Sequence, residues 1–375
     1  MPFSLKGTEK PKPPIPYVIG WKFTAYSHIP PPPTPMTYDC SSHASFRHER
    51  EQTDPVELCL RHPPLPGGCR SDEGDTGNTT SVELQIRGIL RAGNKHSAQL
   101  VFVDVLRAAV DDDQHYPGLG GLAGTKGQGQ RLVAKFYDPL YVDDEGGFLD
   151  AFSIADRHYT HETRTYIELA DLQGKSIPRY YGSFSVDICV GSSLSSSCSV
   201  AAVASSSSSS LSSRRTTKMT RPVRFILIEY LPGTTMMNAD PAAYSQQTRQ
   251  HIMKAVVDFD TAIYARNIMN ADLHPRNIIL VDGQESQDSN APPHLVFIDF
   301  GFAIFGRTWD GSDERRPHKM FSGIYISPLL LWHESRRSRF DFEEWVDWNW
   351  QRWLNAEYKH TASSITKEMR KTYLH

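Results

Sequence analysis

The chain has 375 residues, 39% of them hydrophobic, and a net charge of −3, with a pI near 6.6. That is enough apolar content for one two-lobed domain or two ordinary ones, and the weak charge excludes nucleic acid or an acidic membrane surface as a main partner. Five cysteines (Cys40, Cys59, Cys69, Cys189, Cys198) without metal-type spacing, a start (Met1 to Lys6) without a signal peptide's apolar core, and no apolar run of spanning length predict an intracellular protein, cytoplasmic or nuclear, with no membrane association.

Residues 1–80 carry Pro11, Pro13, Pro14, Pro16, Pro30 to Pro33 and Pro35, and read as a largely disordered arm that could serve a proline-recognition partner. Arg70 to Ser81 is linker. Val82 to Leu90 and Ala98 to Leu106 alternate as strands, with a turn around Gly93 between them. The glycine-rich run Pro117 to Gly129 has neither nucleotide-loop spacing nor a helix pattern behind it, and is read as part of an insertion over 108–130. Leu132 to Tyr137 is an apolar strand interrupted by Lys135. Asp156 to Leu169 is helical, with Glu162, Tyr166 and Leu169 on one stripe; a glutamate on an inward face demands a cation, and Lys135 is the expected one. Glu168 falls off that stripe and is read as solvated. A serine-rich insertion (191–220) precedes the apolar strand Arg224 to Leu231, which ends at Pro232-Gly233. From Asp240-Pro241 the chain reads as helical to about Asn267, burying Ile252, Val256, Phe259 and Ile263.

Asn270 to Ala303 carries the chemistry. Two short apolar strands (278–281 and 295–298) hold polar groups at their ends, with Asp272 and Asn277 placed at one end and Asp299 at the other. Phosphoryl transfer from a nucleotide needs such a set: one carboxylate to accept a hydroxyl proton, and an amide and a second carboxylate to hold Mg²⁺. Asp272-x-x-x-x-Asn277 followed by Asp299-Phe300-Gly301 resembles the catalytic loop and metal loop of the protein-kinase-like superfamily, and looks most like the divergent kinase-like proteins common in filamentous fungi. Asp272-Leu-His-Pro-Arg-Asn277 is also similar to the loop of aminoglycoside and choline phosphotransferases.

The resemblance implies ATP and Mg²⁺ as ligands. Asp272 would accept the acceptor's proton, Asn277 and Asp299 would bind Mg²⁺, and Lys135, paired with Glu162, would balance phosphate charge. Gly93 would lie over the phosphates, although the glycine loop is reduced. Ile228 would back the adenine, and the backbone of Glu229 to Leu231 would meet its edge. His274 would shape the loop, and Arg276 is read as pairing with an acidic surface group. Two departures from the pattern stand out: Asn270-Ala271 replaces His-Arg ahead of Asp272, and no Ala-Pro-Glu occurs between Phe302 and Ser327, where a basic run (Arg315 to Lys319) lies instead. Phe342 to Leu354 is read as one helix with a core-facing stripe, and Trp348 off it as a contact residue.

The expectation is therefore an α+β, two-lobed kinase-like fold: the arm (1–80), a small antiparallel-sheet lobe with one helix (81–231), and a mainly helical lobe (232–375). Its function would be phosphoryl transfer from ATP to a protein serine or threonine hydroxyl, with a small-molecule kinase and a pseudokinase binding module as alternatives.

Overall fold

The structure is a computed structural model and describes residues 10–35, 41, 43–67, 81–94, 96–109, 131–144, 149–190, 219–281, 293–307 and 320–374. Two compact units divide the chain: Met1–Pro31 with Cys40–Tyr159 and Tyr180–Tyr230, and Pro32–Asp39 with Thr160–Arg179 and Leu231–His375. The second unit thus recruits two segments from before residue 231. Most of both insertions, the glycine-rich run and the basic run at 315–319 lie outside the described residues.

In the first unit the chain passes through β1 (Lys22–Ser27), α1 (Ala44–Gln52), α2 (Pro55–Arg61), β2 (Ser81–Arg91), β3 (Gln99–Ala109), β4 (Leu132–Tyr137), the first half of α3 (Ala151–Glu168), β5 (Tyr180–Cys189) and β6 (Thr220–Glu229). Every neighbouring strand pair is antiparallel, and the order β1-β2-β3-β4-β6-β5 closes into a barrel. Along β2 the residues Val82, Leu84 and Ile86 alternate inward, as a sheet with one buried face requires. All six residues of β4 are buried, so it reads as a continuous apolar run around Lys135. Phe23, Phe136, Phe184 and Phe225 interlock inside with ring centroids 4.7–6.0 Å apart, each contributing about 1.5–3 kcal/mol of burial.

The disordered arm is the first correction. β1 falls within it, pairing with β2 from Lys22↔Gln85 to Tyr26↔Ser81 and with β5 at Tyr26↔Ser185 and Ser27↔Phe184. Phe23 and Ala25 point inward and their neighbours outward, a strand pattern that the proline count concealed. Without it β2 and β5 would present unpaired edges. Farther upstream, Tyr17 is fully buried and donates its hydroxyl to Asp138 Oδ2 at 2.6 Å, while the Tyr141 hydroxyl donates to the carbonyls of Pro13 and Pro14. Prolines offer carbonyls but no N–H, so a tyrosine hydroxyl is a suitable clasp for them. Cys59 is a buried free thiol, whereas Cys189 is disulfide-bonded.

The second unit holds the rest of α3, then β7 (Thr234–Thr235), α4 (Gln246–Ala265), β8 (Ile268–Asn270), β9 (Ile278–Val281), β10 (His294–Phe297), β11 (Ala303–Phe305), α5 (Pro328–Leu331), α6 (Trp350–Glu357) and α7 (Lys367–Tyr373). Small sheets β10-β9-β7 and β11-β8 form beside the expected α4 stripe, and Phe259 stacks on Phe297 with ring centroids 3.7 Å apart. A Cβ on Gly233 would run into the Leu280 carbonyl, so only glycine lets this segment lie against β9.

Two helix boundaries differ from expectation. Asp240 caps only a 3₁₀ turn (Pro241–Ala243); Tyr244 then turns extended, and α4 starts after Ser245, whose hydroxyl accepts from Thr248 N–H. The tryptophan-rich end is likewise two pieces, a 3₁₀ segment (Arg337–Trp345) and α6, because the Asn349 side chain accepts from Arg352 N–H and begins a new helix. Trp345 and Trp350 are core; Trp348 is half-buried with its ring 5.9 Å from Trp353.

Candidate functional site

The loop between β8 and β9 is held together by its own side chains. Asn270, the last residue of β8, accepts from the Asp272 N–H at 3.2 Å and pairs with Ala303 of β11. Asn270 thereby does structural work at the position where the resembled pattern has histidine, a role sequence reading missed although the Asn-x-Asp spacing is that of an Asx turn. His274 caps the 3₁₀ turn Pro275–Asn277, its Nδ1 accepting from Arg276 N–H at 3.2 Å. Burial and then the Arg276 guanidinium push His274 below the usual imidazole range, which keeps that nitrogen an acceptor. His274 thus shapes the loop.

Asp272 is fixed from two sides. Asn277, buried, donates through Nδ2 to both the Asp272 carbonyl and Oδ2, each at 2.9 Å. Arg276 donates to Asp272 Oδ1, so the acidic group with which it was expected to pair is the loop's own carboxylate. The Asp272 side chain keeps 23% exposure. Its carboxylate is oriented and still reachable.

The hairpin corrects the expected placement of Asp299. Antiparallel pairing of Phe297 with Ile278 puts the end of β10 beside the start of β9, and Ile298 N–H donates to the Asn277 carbonyl at 2.9 Å. Asp299 therefore follows at the same end of the hairpin as Asn277 and Asp272. Two strands that run in opposite directions bring the last residue of one to the first of the other. Asp299 has φ +62°, a left-handed conformation that aspartate tolerates and branched residues do not, and Phe300 behind it is fully buried edge-on to Tyr166 of α3.

For a divalent cation the fit rests on donor chemistry. With its amide nitrogen turned to Asp272, Asn277 has Oδ1 left to offer, and Asp299 brings a carboxylate; hard oxygens of this kind suit Mg²⁺. Among the described residues no three His, Cys, Asp or Glu cluster as a metal site, so a cation here would complete its shell from water and substrate phosphate.

Other expected residues divide between the units. Lys135 is buried in β4 of the first unit, between Leu100 and Ile226, with Nζ 5.8 Å from the Tyr137 ring centroid. Glu162 and Tyr166, on the part of α3 that belongs to the second unit, and Leu169 just after the helix form the predicted fully buried stripe, and exposed Glu168 pairs with Arg164. Ile228 is buried and Glu229 ends β6 opposite Leu132; the next N–H, that of Tyr230, donates to Arg131 O and is already committed.

Gly93 has φ +149°, but its N–H donates to Gln99 Oε1 (2.7 Å) and its carbonyl accepts from Gln99 Nε2 (3.0 Å). The expected phosphate-facing N–H at Gly93 is thus occupied by a fully buried glutamine that sequence reading overlooked.

Residues 216–310 match the family model of the ABC1 atypical kinase-like domain. The stretch is kinase-like. It contains Ile228, the Asp272 loop, Asn277 and Asp299, but neither Lys135 nor Glu162. No curated protein matches the chain. Among the described residues no helix is long and apolar enough to cross a membrane.

Proposed function

We propose that the chain is an ATP- and Mg²⁺-dependent phosphotransferase of two-lobed, protein-kinase-like design, acting on a hydroxyl acceptor, foremost a protein serine or threonine. The observation that carries this reading is the double hydrogen bond from Asn277 to Asp272 at the hairpin end that Asp299 shares. It aligns a proton acceptor beside two hard-oxygen ligands, the parts that phosphoryl transfer requires. Asp272 orients and deprotonates the attacking hydroxyl. Asn277 and Asp299 hold Mg²⁺, which neutralises phosphate charge when bound. Lys135, Glu162, Ile228, Glu229 and Leu231 take the roles that the resemblance to kinases implies for them.

Arg276 on Asp272 lowers the negative charge at the acceptor end, which favours a neutral hydroxyl over the cationic acceptors of aminoglycoside- or choline-type kinases. A second reading is a catalytically weak pseudokinase, favoured by the occupied backbone groups of Gly93. The test is the melting temperature with and without ATP plus Mg²⁺, with Asp299→Asn as control. A ligand that binds only the folded state raises stability by mass action, about 2.7 kcal/mol at one hundred times its dissociation constant. A Mg²⁺-dependent rise lost in the variant is expected. No rise at millimolar ATP would remove the nucleotide site, and binding without transfer to any hydroxyl would select the pseudokinase.

A further inference from the structure

His161 is almost completely buried in α3, one residue before Glu162. Its Nδ1 lies 2.6 Å from the carbonyl of Ala303, and its Nε2 lies 2.8 Å from the carbonyl of Thr34 and 3.2 Å from the Thr34 hydroxyl. Nδ1 faces the Ala303 carbonyl and bonds it as an N–H, while Nε2 faces both the Thr34 carbonyl, which only an N–H can bond, and the Thr34 hydroxyl, which can donate to a bare nitrogen. Thr34 itself is buried, and its N–H donates to Thr160 Oγ1 at 3.2 Å. These residues all belong to the second unit.

The surrounding sequence makes the contact specific. From Pro30 to Pro35 five of six residues are proline, and Thr34 alone carries a backbone N–H. A run with one donor has one register in which that donor is satisfied. On the other side, Ala303 follows Asp299 by four residues, its N–H donates to Phe300 O, and it pairs with Asn270, which holds Asp272. One imidazole therefore touches the proline segment, the helix that carries Glu162, and the strand that follows the metal loop. A ring there that served only to fill space would need no polar atoms; buried ring nitrogens held against fixed polar groups on two sides specify orientation as well as volume.

We infer that His161 is a positioning residue for the phosphoryl-transfer site, and that Thr34 is the contact through which the proline segment sets the metal loop. The proline run acts in its own chain as a strap: when Thr34 is seated, His161 holds β11 and with it the turn that presents Asp299. The inference rests on the proposed function for what the loop presents, but the coupling itself does not depend on nucleotide.

Two measurements on the full chain separate these. Hydrogen exchange without nucleotide reads the coupling: Thr34→Pro keeps the extended path and removes the one N–H, and faster exchange is expected in 160–168 and 299–305 with strand 81–91 unchanged. Unchanged exchange in 299–305 overturns the inference. The second measurement is ATP affinity with Mg²⁺ and with EDTA. His161→Phe retains a ring against Phe305, 5.7 Å away, and removes both ring nitrogens; it should weaken binding in Mg²⁺ by about tenfold while leaving binding in EDTA within about twofold, and His161→Gln should recover part of the loss. Equal affinity of wild type and His161→Phe in Mg²⁺ counts against the inference, as does an equal loss in EDTA, which would mark a merely structural histidine. Should His161→Phe not fold, Thr34→Pro carries both measurements. If wild type binds no ATP, the phosphotransferase reading falls and hydrogen exchange alone decides the strap.

Discussion

Asp138–Arg221 in the barrel unit and Asp272–Arg276 in the loop between β8 and β9 are chemically the same pair, placed in opposite surroundings. Arg221 grips both oxygens of Asp138 at 2.6 and 2.8 Å with side chains 4% and 0% exposed, and Tyr17 and the Leu140 N–H also donate to the same carboxylate. Arg276 meets one oxygen of Asp272 with side chains 47% and 23% exposed. Burial makes the first pair structural, since neither charge can be left without the other. Exposure leaves the second pair weakly coupled to stability, with a carboxylate that a substrate could reach.

The largest effect should follow from halving the buried pair. Asp138→Ala strands Arg221 inside the barrel and should cost about 3–5 kcal/mol in urea unfolding; a loss under about 1 kcal/mol would show that water enters the network. Next comes Asp272→Asn, an isosteric change that should lower phosphoryl transfer by roughly 10²–10⁴-fold if the carboxylate accepts the proton, while unfolding free energy stays within about 1 kcal/mol. A rate within threefold or so of wild type would leave Asp272 no general-base role.

Asp260 is an intermediate case that sharpens the comparison. It accepts from the Trp332 indole N–H at 2.9 Å, and burial pushes it up from 3.8 to about 6. Between those values the folded chain keeps a proton that the unfolded chain has lost. The contribution of Asp260 to stability therefore falls as pH rises from about 4 through about 6, by no more than roughly 3 kcal/mol. Asp260→Asn should flatten that slope in chemical unfolding across the range, and an unchanged slope would assign it to other groups. The smallest effect belongs to Arg276→Ala. Its stability change should stay within about 1 kcal/mol and shrink in high salt. A larger, salt-insensitive loss would mean that the two aspartate–arginine pairs differ less than their exposure indicates.

Much was legible in the chain because it is local. The alternation of β2, the buried run of β4, the Glu162/Tyr166/Leu169 stripe and the order Asp272, Asn277, Asp299 all depend on neighbours within one element or one loop. Boundaries were harder: Ser245 and Asn349 are ordinary caps, the first overlooked because Asp240-Pro241 already offered a helix start and the second because an apolar stripe ran past it.

Contacts between residues far apart were decided by tertiary structure alone. Closure of the barrel by β1, the clasp of Tyr17 on Asp138, and the seat of Thr34 on His161 join positions 121 to 127 residues apart in the last two cases, and no periodicity encodes such partners. A proline-rich composition states that a segment lacks donors, which is a property of the segment. Whether it then stays in solvent or docks on carbonyl-seeking tyrosine and histidine depends on surfaces supplied elsewhere in the chain. Likewise the sequence names Gly93 as the flexible residue of its turn, while the fold brings Gln99 across to take both its backbone groups. Residue type and spacing determined the chemistry this protein can offer; which of those groups are spoken for was settled by packing, because a hydrogen bond belongs to two partners and the sequence displays them one at a time.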